Sequence, residues 1–124
     1  MKRVVIVDDS PAYCELWSGY ITERYSGNVQ VETYRHPYDA LPNIDGKIDL
    51  LIVDVEMPAM DGKKFVEYAR QKGVPPQRIV VTSSHPAEEL HERFRIGETI
   101  AVINKTEARQ QEAFLMILDS IMRR

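Results

Sequence analysis

The stretch Val4-Val5-Ile6-Val7-Asp8-Asp9 and its counterpart Leu50-Leu51-Ile52-Val53-Asp54 decide the fold of this chain. An unbroken run of branched apolar residues marks a strand buried on both faces, as in parallel sheets covered by helices. If the two runs are parallel neighbours, their C-terminal ends coincide, and Asp8, Asp9 and Asp54 enter one crevice. Two carboxylates about 4–5 Å apart repel by roughly 3–4 kcal/mol at an effective dielectric of about 20. Such a cluster persists when something cationic holds it, so a divalent metal is the first ligand to expect.

Outward from these two runs, strand and helix patterns alternate along the chain without repeats or a linker. The first strand is expected over about 3–8, followed by Ser10 as N-cap and Pro11 as first helical residue. Tyr13, Leu16, Trp17, Tyr20 and Ile21 then recur at helical spacing until Ser26-Gly27-Asn28 stops the helix. A second strand, about 29–34, alternates Val29, Val31 and Thr33 with Gln30, Glu32 and Tyr34, which suits a half-exposed edge. The segment from His36 to Leu41 supports only a turn or two of helix before Pro42. The third strand spans about 48–54, and Gly62 to Lys72 reads as a helix with Phe65, Tyr68 and Ala69 inward, closed by Gly73 and Pro75-Pro76.

The fourth strand is Arg78 to Thr82. A helix over about 86–96 begins at Pro86 with Glu88 and Glu89 in its first turn and a thin stripe of Ala87, Leu90 and Phe94. Ile100 to Ile103 is the fifth strand, and 106–122 a last helix presenting Phe114, Leu115, Leu118, Ile121 and Met122. Right-handed crossovers make this an α/β domain, a doubly wound (βα)5 unit with a five-stranded parallel sheet. The order 2-1-3-4-5 follows from the edge character of the second strand. Its switch point then falls between strands one and three, where Asp8, Asp9 and Asp54 lie and where ligands of such sheets bind.

The totals narrow the class of function. The chain has 124 residues and a net charge of −3 without a basic tract, which argues against wrapping nucleic acid; Arg123 and Arg124 read as a solvated helix end. Its single cysteine, Cys14, excludes an internal disulfide and a multi-cysteine zinc site, and its place in a helical pattern points to packing. No apolar run reaches the roughly 18–20 residues of a membrane span, and no signal peptide precedes the first strand. A cytoplasmic domain is expected, and Met1 directly before the first strand favours a natural N-terminus.

Further residues converge on the acids. Thr82 ends the fourth strand and Lys105 follows the fifth, so both project from the same edge of the sheet. The loop Val55-Glu56-Met57-Pro58-Ala59-Met60-Asp61-Gly62 can aim backbone carbonyls into the crevice. Acids able to hold a hard cation, a hydroxyl, an ammonium and a buried nucleophile suit a phosphoryl group. Taken singly, each has a plainer reading as a solvated loop, a satisfied hydroxyl or a surface charge; it is their joint order that is specific. Over its whole length, and through Asp8-Asp9, Asp54, Met57 to Gly62, Thr82 and Lys105, the chain resembles the receiver domain of two-component response regulators.

That resemblance implies a flavodoxin-like, CheY-like fold, one receiver domain over 1–124 and no output domain. It implies that Asp54 is the phosphoacceptor, taking its group from a phosphohistidine of a sensor histidine kinase or a histidine phosphotransfer protein. Asp9 would bind Mg²⁺ directly, Asp8 through a metal-bound water, and the Glu56 main-chain carbonyl would complete the protein ligands with Asp54; Mn²⁺ is a substitute. Thr82 would donate to the phosphoryl oxygen, Ser83 would turn its backbone N–H toward another oxygen, and Lys105 would add positive charge. The output would be altered binding of a downstream protein target through the face of the fourth helix, fifth strand and last helix. Such a domain catalyses only its own phosphorylation and dephosphorylation, as a monomer or weak homodimer, with no nucleic acid or membrane as partner.

Two positions depart from the family. An aromatic commonly stands three residues before the strand-five lysine and turns with the threonine; here it is Val102, beside Ala101, so coupling is expected to be muted or to take another route. The proline that commonly follows the lysine is Thr106. A non-proline cis bond costs roughly 2.5–4 kcal/mol, so a trans bond is expected, with Thr106 free to cap the last helix. The Glu56 side chain is expected to border the site, Asp61 to cap a helix, and Trp17 with its neighbouring tyrosines to belong to the core. His36, His85 and His91 read as surface residues, with His85 close enough to Thr82 to affect its loop. Two rival functions are a small phosphohydrolase, whose nucleophile-x-acid spacing Asp54 and Glu56 imitate without the usual strand-one position, and a binding domain with an inactive site.

Overall fold

A computed structural model describes residues 1–85, 94 and 97–124 of the chain. Its strands are β1 (Lys2–Val7), β2 (Val29–Tyr34), β3 (Leu50–Asp54), β4 (Ile79–Ser83) and β5 (Ala101–Asn104). They form one parallel sheet in the order β2-β1-β3-β4-β5, with β2 at the edge as its alternation suggested. The helices are α1 (Pro11–Arg24), α2 (Pro37–Ala40), α3 (Gly62–Gln71) and α4 (Ala108–Met122); short 3₁₀ turns cover Leu41–Asn43 and Pro76–Arg78. The helix expected over 86–96, with His91, lies outside the described residues apart from Phe94, which is buried in the core.

Alternation along the strands divides the core in two. Val5, Val7, Leu51, Val53, Ile79 and Val81 face α2 and α3 through Ala40, Phe65, Val66 and Ala69. Val4, Ile6, Leu50, Ile52, Val80 and Ile103 face α1 and α4 through Cys14, Trp17, Ile21, Phe114, Leu118 and Ile121. Both faces of β1 and β3 are therefore covered, which is why their sequences never alternate. No helix among the described residues is long and apolar enough to cross a membrane.

Local chemistry explains the element ends. Ser10 caps α1 by accepting from Tyr13 N at 3.2 Å with Pro11 at the first position, and Asp61 caps α3 by accepting from Lys63 N at 2.9 Å. Gly73 ends α3 with φ +101°, a conformation that a side chain disfavours. Several expectations need correction. β3 begins at Leu50 rather than 48, because Asp49 N already bonds Arg3 O outside the ladder. On α1 the buried stripe is Cys14, Trp17 and Ile21, so Leu16 (63% exposed) and Tyr20 (38%) lie on its open flank rather than in the core. Thr106 does not cap the last helix: Glu107 occupies the N-cap without a side-chain bond, and the Asn104 side chain serves the turn instead. The Lys105–Thr106 bond is trans, as expected, with no cis bond among the described residues.

The edge strand is clamped from inside the sheet. Arg3 on β1 donates to both oxygens of Glu32 on β2, to Asp45 Oδ1 at 2.9 Å and to Asn43 O at 2.7 Å. This forked pairing explains why Glu32, placed by alternation on the polar side, is half-buried. The hydrogen bonds from Arg3 hold the Glu32 carboxyl below its ordinary value of 4.5, against the opposing effect of burial. A carboxyl with a lowered folded-state pKa stabilises the fold above its unfolded value and loses that contribution as pH falls through the folded one. Glu32→Gln should therefore cost about 1 kcal/mol or less at pH 7, as expected of a partly exposed ion pair. In denaturant titrations its gap from wild type should close as pH drops below 4.5.

Candidate functional site

The register of the ladders builds the site. Val7 pairs with Val53 and Asp54 pairs with Thr82, so Asp8, Asp54 and Thr82 stand side by side at one sheet edge. Ser83 pairs with Asn104, which brings Lys105 to the same edge one residue later. Carboxylate oxygens of Asp8, Asp9 and Asp54 all lie within 4.8 Å of one another, a potential metal-ligating group found among the described residues. The structure thus brings Asp8, Asp9, Asp54, Thr82 and Lys105 to one edge of the sheet.

Their environments differ. Asp8 is buried: its Oδ1 accepts from Ser10 N at 2.9 Å and its Oδ2 from Lys105 Nζ at 2.6 Å. Asp9, its neighbour, is exposed at the rim. Asp54 is buried, with Oδ1 accepting from Glu56 N at 2.9 Å and Oδ2 at 3.4 Å from Lys105 Nζ. Burial first, with the charge of Asp8 beside it, pushes the Asp54 carboxyl up to about 6; the Glu56 N–H and Lys105 oppose this without cancelling it. Burial would lower the Lys105 ammonium, but Asp8 and Asp54 more than compensate and raise it. Thr82 is fully buried, and its hydroxyl donates only a long 3.5 Å bond to Val53 O.

The Glu56 side chain turns toward the loop after β4. It accepts from the Ser83 hydroxyl, from Ser84 N at 2.8 Å and Ser84 Oγ, and meets His85 Nε2 at 3.1 Å. Burial works to raise its carboxyl, but the bonds from Ser83 and Ser84 and the charge of His85 hold it low. His85 N donates to Ser83 Oγ, so His85 does act on the Thr82 loop. His36 is the N-cap of α2, accepting from Tyr38 N through Nδ1. Gly62 also serves the site. A Cβ there would stand 2.5 Å from Val55 Cα, so only glycine lets α3 start against the turn that follows Asp54.

One residue at the site escaped the sequence reading. Tyr13 packs against the α1 core as expected, and its ring also lies on the site lysine, with Lys105 Nζ 4.3 Å from the centroid. Its position in the first turn after an Asp-Asp pair was the available signal.

A sequence model described as the response regulator receiver domain matches residues 4–119. The transcriptional regulatory protein FlgR of Helicobacter pylori is 30% identical over 70 residues, covering 56% of this chain and 18% of that protein. The chain spans less than a third of the length of the curated relatives it matches. Among solved structures, the BeF3-activated N-terminal receiver domain of Klebsiella pneumoniae RstA superposes with a TM-score of 0.80 at 22% identity, over 99% of this chain and 100% of that one. The response regulator TrrA of Thermotoga maritima, in complex with Mg²⁺-BeF, gives 0.70 at 24% identity over 94% and 99%. These structures share the fold.

Three carboxylates facing one ammonium leave the site with excess negative charge. A carboxyl whose folded pKa lies above its unfolded value of 3.8 costs stability as pH rises from there to about 6, and the cost persists above that. Asp54→Asn should therefore stabilise the metal-free protein at pH 7.5. After discounting for solvent screening, the gain is on the order of 1–2 kcal/mol. Urea unfolding in EDTA should show the gain at pH 7.5 and its disappearance below pH 3.8.

Proposed function

Because the chain belongs to the response regulator receiver domain family, we propose that it is a phosphorylation-driven switch of two-component signalling with Asp54 as its phosphoacceptor. The observation that carries this reading is the placement of Asp54: a buried carboxylate 3.4 Å from an ammonium and within 4.8 Å of two further acids. The donor phosphohistidine belongs to a sensor kinase or a phosphotransfer protein. An Asp54 oxygen attacks phosphorus in line, an O–P bond forms as the N–P bond breaks, and the electron pair leaves with the imidazole.

The donor set suits a hard divalent ion. Carboxylates of Asp8, Asp9 and Asp54 and the Glu56 carbonyl are all oxygen ligands, and one lysine cannot neutralise three acids. They would hold Mg²⁺, or Mn²⁺ in its place, which neutralises charge on the transferring group. The burial pattern supports a division of labour: exposed Asp9 is free to ligate directly, while Asp8 is engaged with Lys105. Lys105 follows the charge as it develops on the phosphoryl oxygens. Thr82, holding only a long bond to Val53 O, is free to turn its hydroxyl toward them.

The output is altered binding of a protein target on the side of the domain that carries β5 and α4. The setting is the cytoplasm, the protein is a monomer or weak homodimer, and its only catalysis is on its own phosphoryl group.

Incubation with acetyl phosphate and Mg²⁺ should add one phosphoryl group, stable to acid and labile to base, detected by intact-mass spectrometry. Asp54→Asn should show none, EDTA should suppress the reaction, and Lys105→Ala should slow it on the order of 10²-fold. Repeated turnover of assorted phosphoesters would instead indicate a hydrolase, and an inert wild type would remove the proposal.

A further inference from the structure

Two buried polar groups near the site have no hydrogen-bond partner: the Tyr13 hydroxyl and the Trp17 indole N–H. Orphans of this kind are uncommon, because a buried unpaired donor costs about 1–3 kcal/mol. They are adjacent. Tyr13 and Trp17 pack edge to face on successive turns of α1, with ring centroids 6.2 Å apart. The Tyr13 backbone is fixed by the Ser10 cap, and its ring is held by the Lys105 ammonium that also binds Asp8 and Asp54.

Thr82 completes the line. It shares its face of β4 with Val80, which packs in the α1 and α4 core beside Trp17. Burial raises the Tyr13 pKa, the charges of Asp8 and Asp54 raise it further, and the Thr82 hydroxyl opposes them, so all three groups are within electrostatic reach. What this side of the sheet lacks is a strong terminal acceptor, since Thr82 reaches only Val53 O, at 3.5 Å. The indole N–H can only donate, whereas each hydroxyl can accept one hydrogen bond and donate another.

Resting on the phosphoacceptor reading, we infer that Tyr13 is a positioning residue that couples Asp54 to α1. A phosphoryl oxygen on Asp54 accepts from Thr82, Thr82 accepts from Tyr13, and Tyr13 accepts from Trp17. The anion replaces the long bond to Val53 O with a charged acceptor, and each bond polarises the next. Val102 cannot perform this task, since it is an aliphatic residue packed against the opposite core. The signal from Thr82 thus runs to the α1 side.

Trp17 is the only tryptophan, so its emission reports the event. Saturating wild type with Mg²⁺ and beryllofluoride should shift Trp17 fluorescence. Tyr13→Phe, which keeps the ring and removes the hydroxyl, should lose at least about two-thirds of that shift while an unchanged circular dichroism spectrum confirms the fold. Thr82→Val, which leaves Tyr13 in place, should lose the same share, and the double variant no more than either single one. A full shift in either single variant, or losses that add, would overturn the inference. A wild type that neither responds to beryllofluoride nor is labelled by acetyl phosphate would instead remove the phosphoacceptor reading itself.

Discussion

The whole arrangement depends on one electrostatic constraint: parallel strand register forces acids into contact that a single ammonium cannot neutralise. Backbone hydrogen bonds between β1, β3 and β4 align Asp8, Asp54 and Thr82, and a one-residue slip would send each side chain to the opposite face of the sheet and take the acids out of line. The apolar cores on both sides of the sheet therefore hold the charges where they would not settle by themselves. Burial first, and the charge of Asp8 beside it, raise the Asp54 pKa accordingly. A site in this state has high affinity for added positive charge, because binding relieves a cost that folding has already incurred.

Much of this was legible in the sequence because it follows from patterns that tolerate small errors. The unbroken apolar runs at 4–7 and 50–53 indicated strands covered on both faces, and the alternation at 29–34 identified the edge. Strand ends shifted by one or two residues without consequence, since the acids and Lys105 sit just beyond them. Side-chain destinations were harder to read. Glu56 was expected to border the site, but its partners there, Ser83, Ser84 and His85, lie in a loop whose position periodicity does not specify. Leu16 and Tyr20 fit helical spacing yet lie on the flank, because fourteen positions of helix offer more apolar residues than one buried stripe can take. Tyr13 was read as core, which it is, but its second contact, with Lys105, depends on a distance that helical spacing does not give.

The departures at Val102 and Thr106 have a counterpart in Asn104. Without a proline after Lys105, that loop needs another restraint, and the buried Asn104 side chain supplies it. Its Oδ1 accepts from Thr106 N at 2.7 Å, from Thr106 Oγ1 and from Glu107 N, while its Nδ2 donates to His85 O at 2.6 Å. Gln111 on α4 adds bonds from its Nε2 to the carbonyls of Asn104 and Lys105. One amide thereby joins the loop after β4, which follows Thr82, to the loop after β5, which carries Lys105. Glu56 extends the same connection to the loop after Asp54 through Ser83 and His85. The three loops around Asp54 are consequently cross-linked by side chains rather than by a rigid ring. Such a lattice restrains the loop that carries Lys105 through hydrogen bonds from Asn104 and Gln111. A loop held in this way keeps the Lys105 ammonium beside Asp8 and Asp54 without a proline to fix its path.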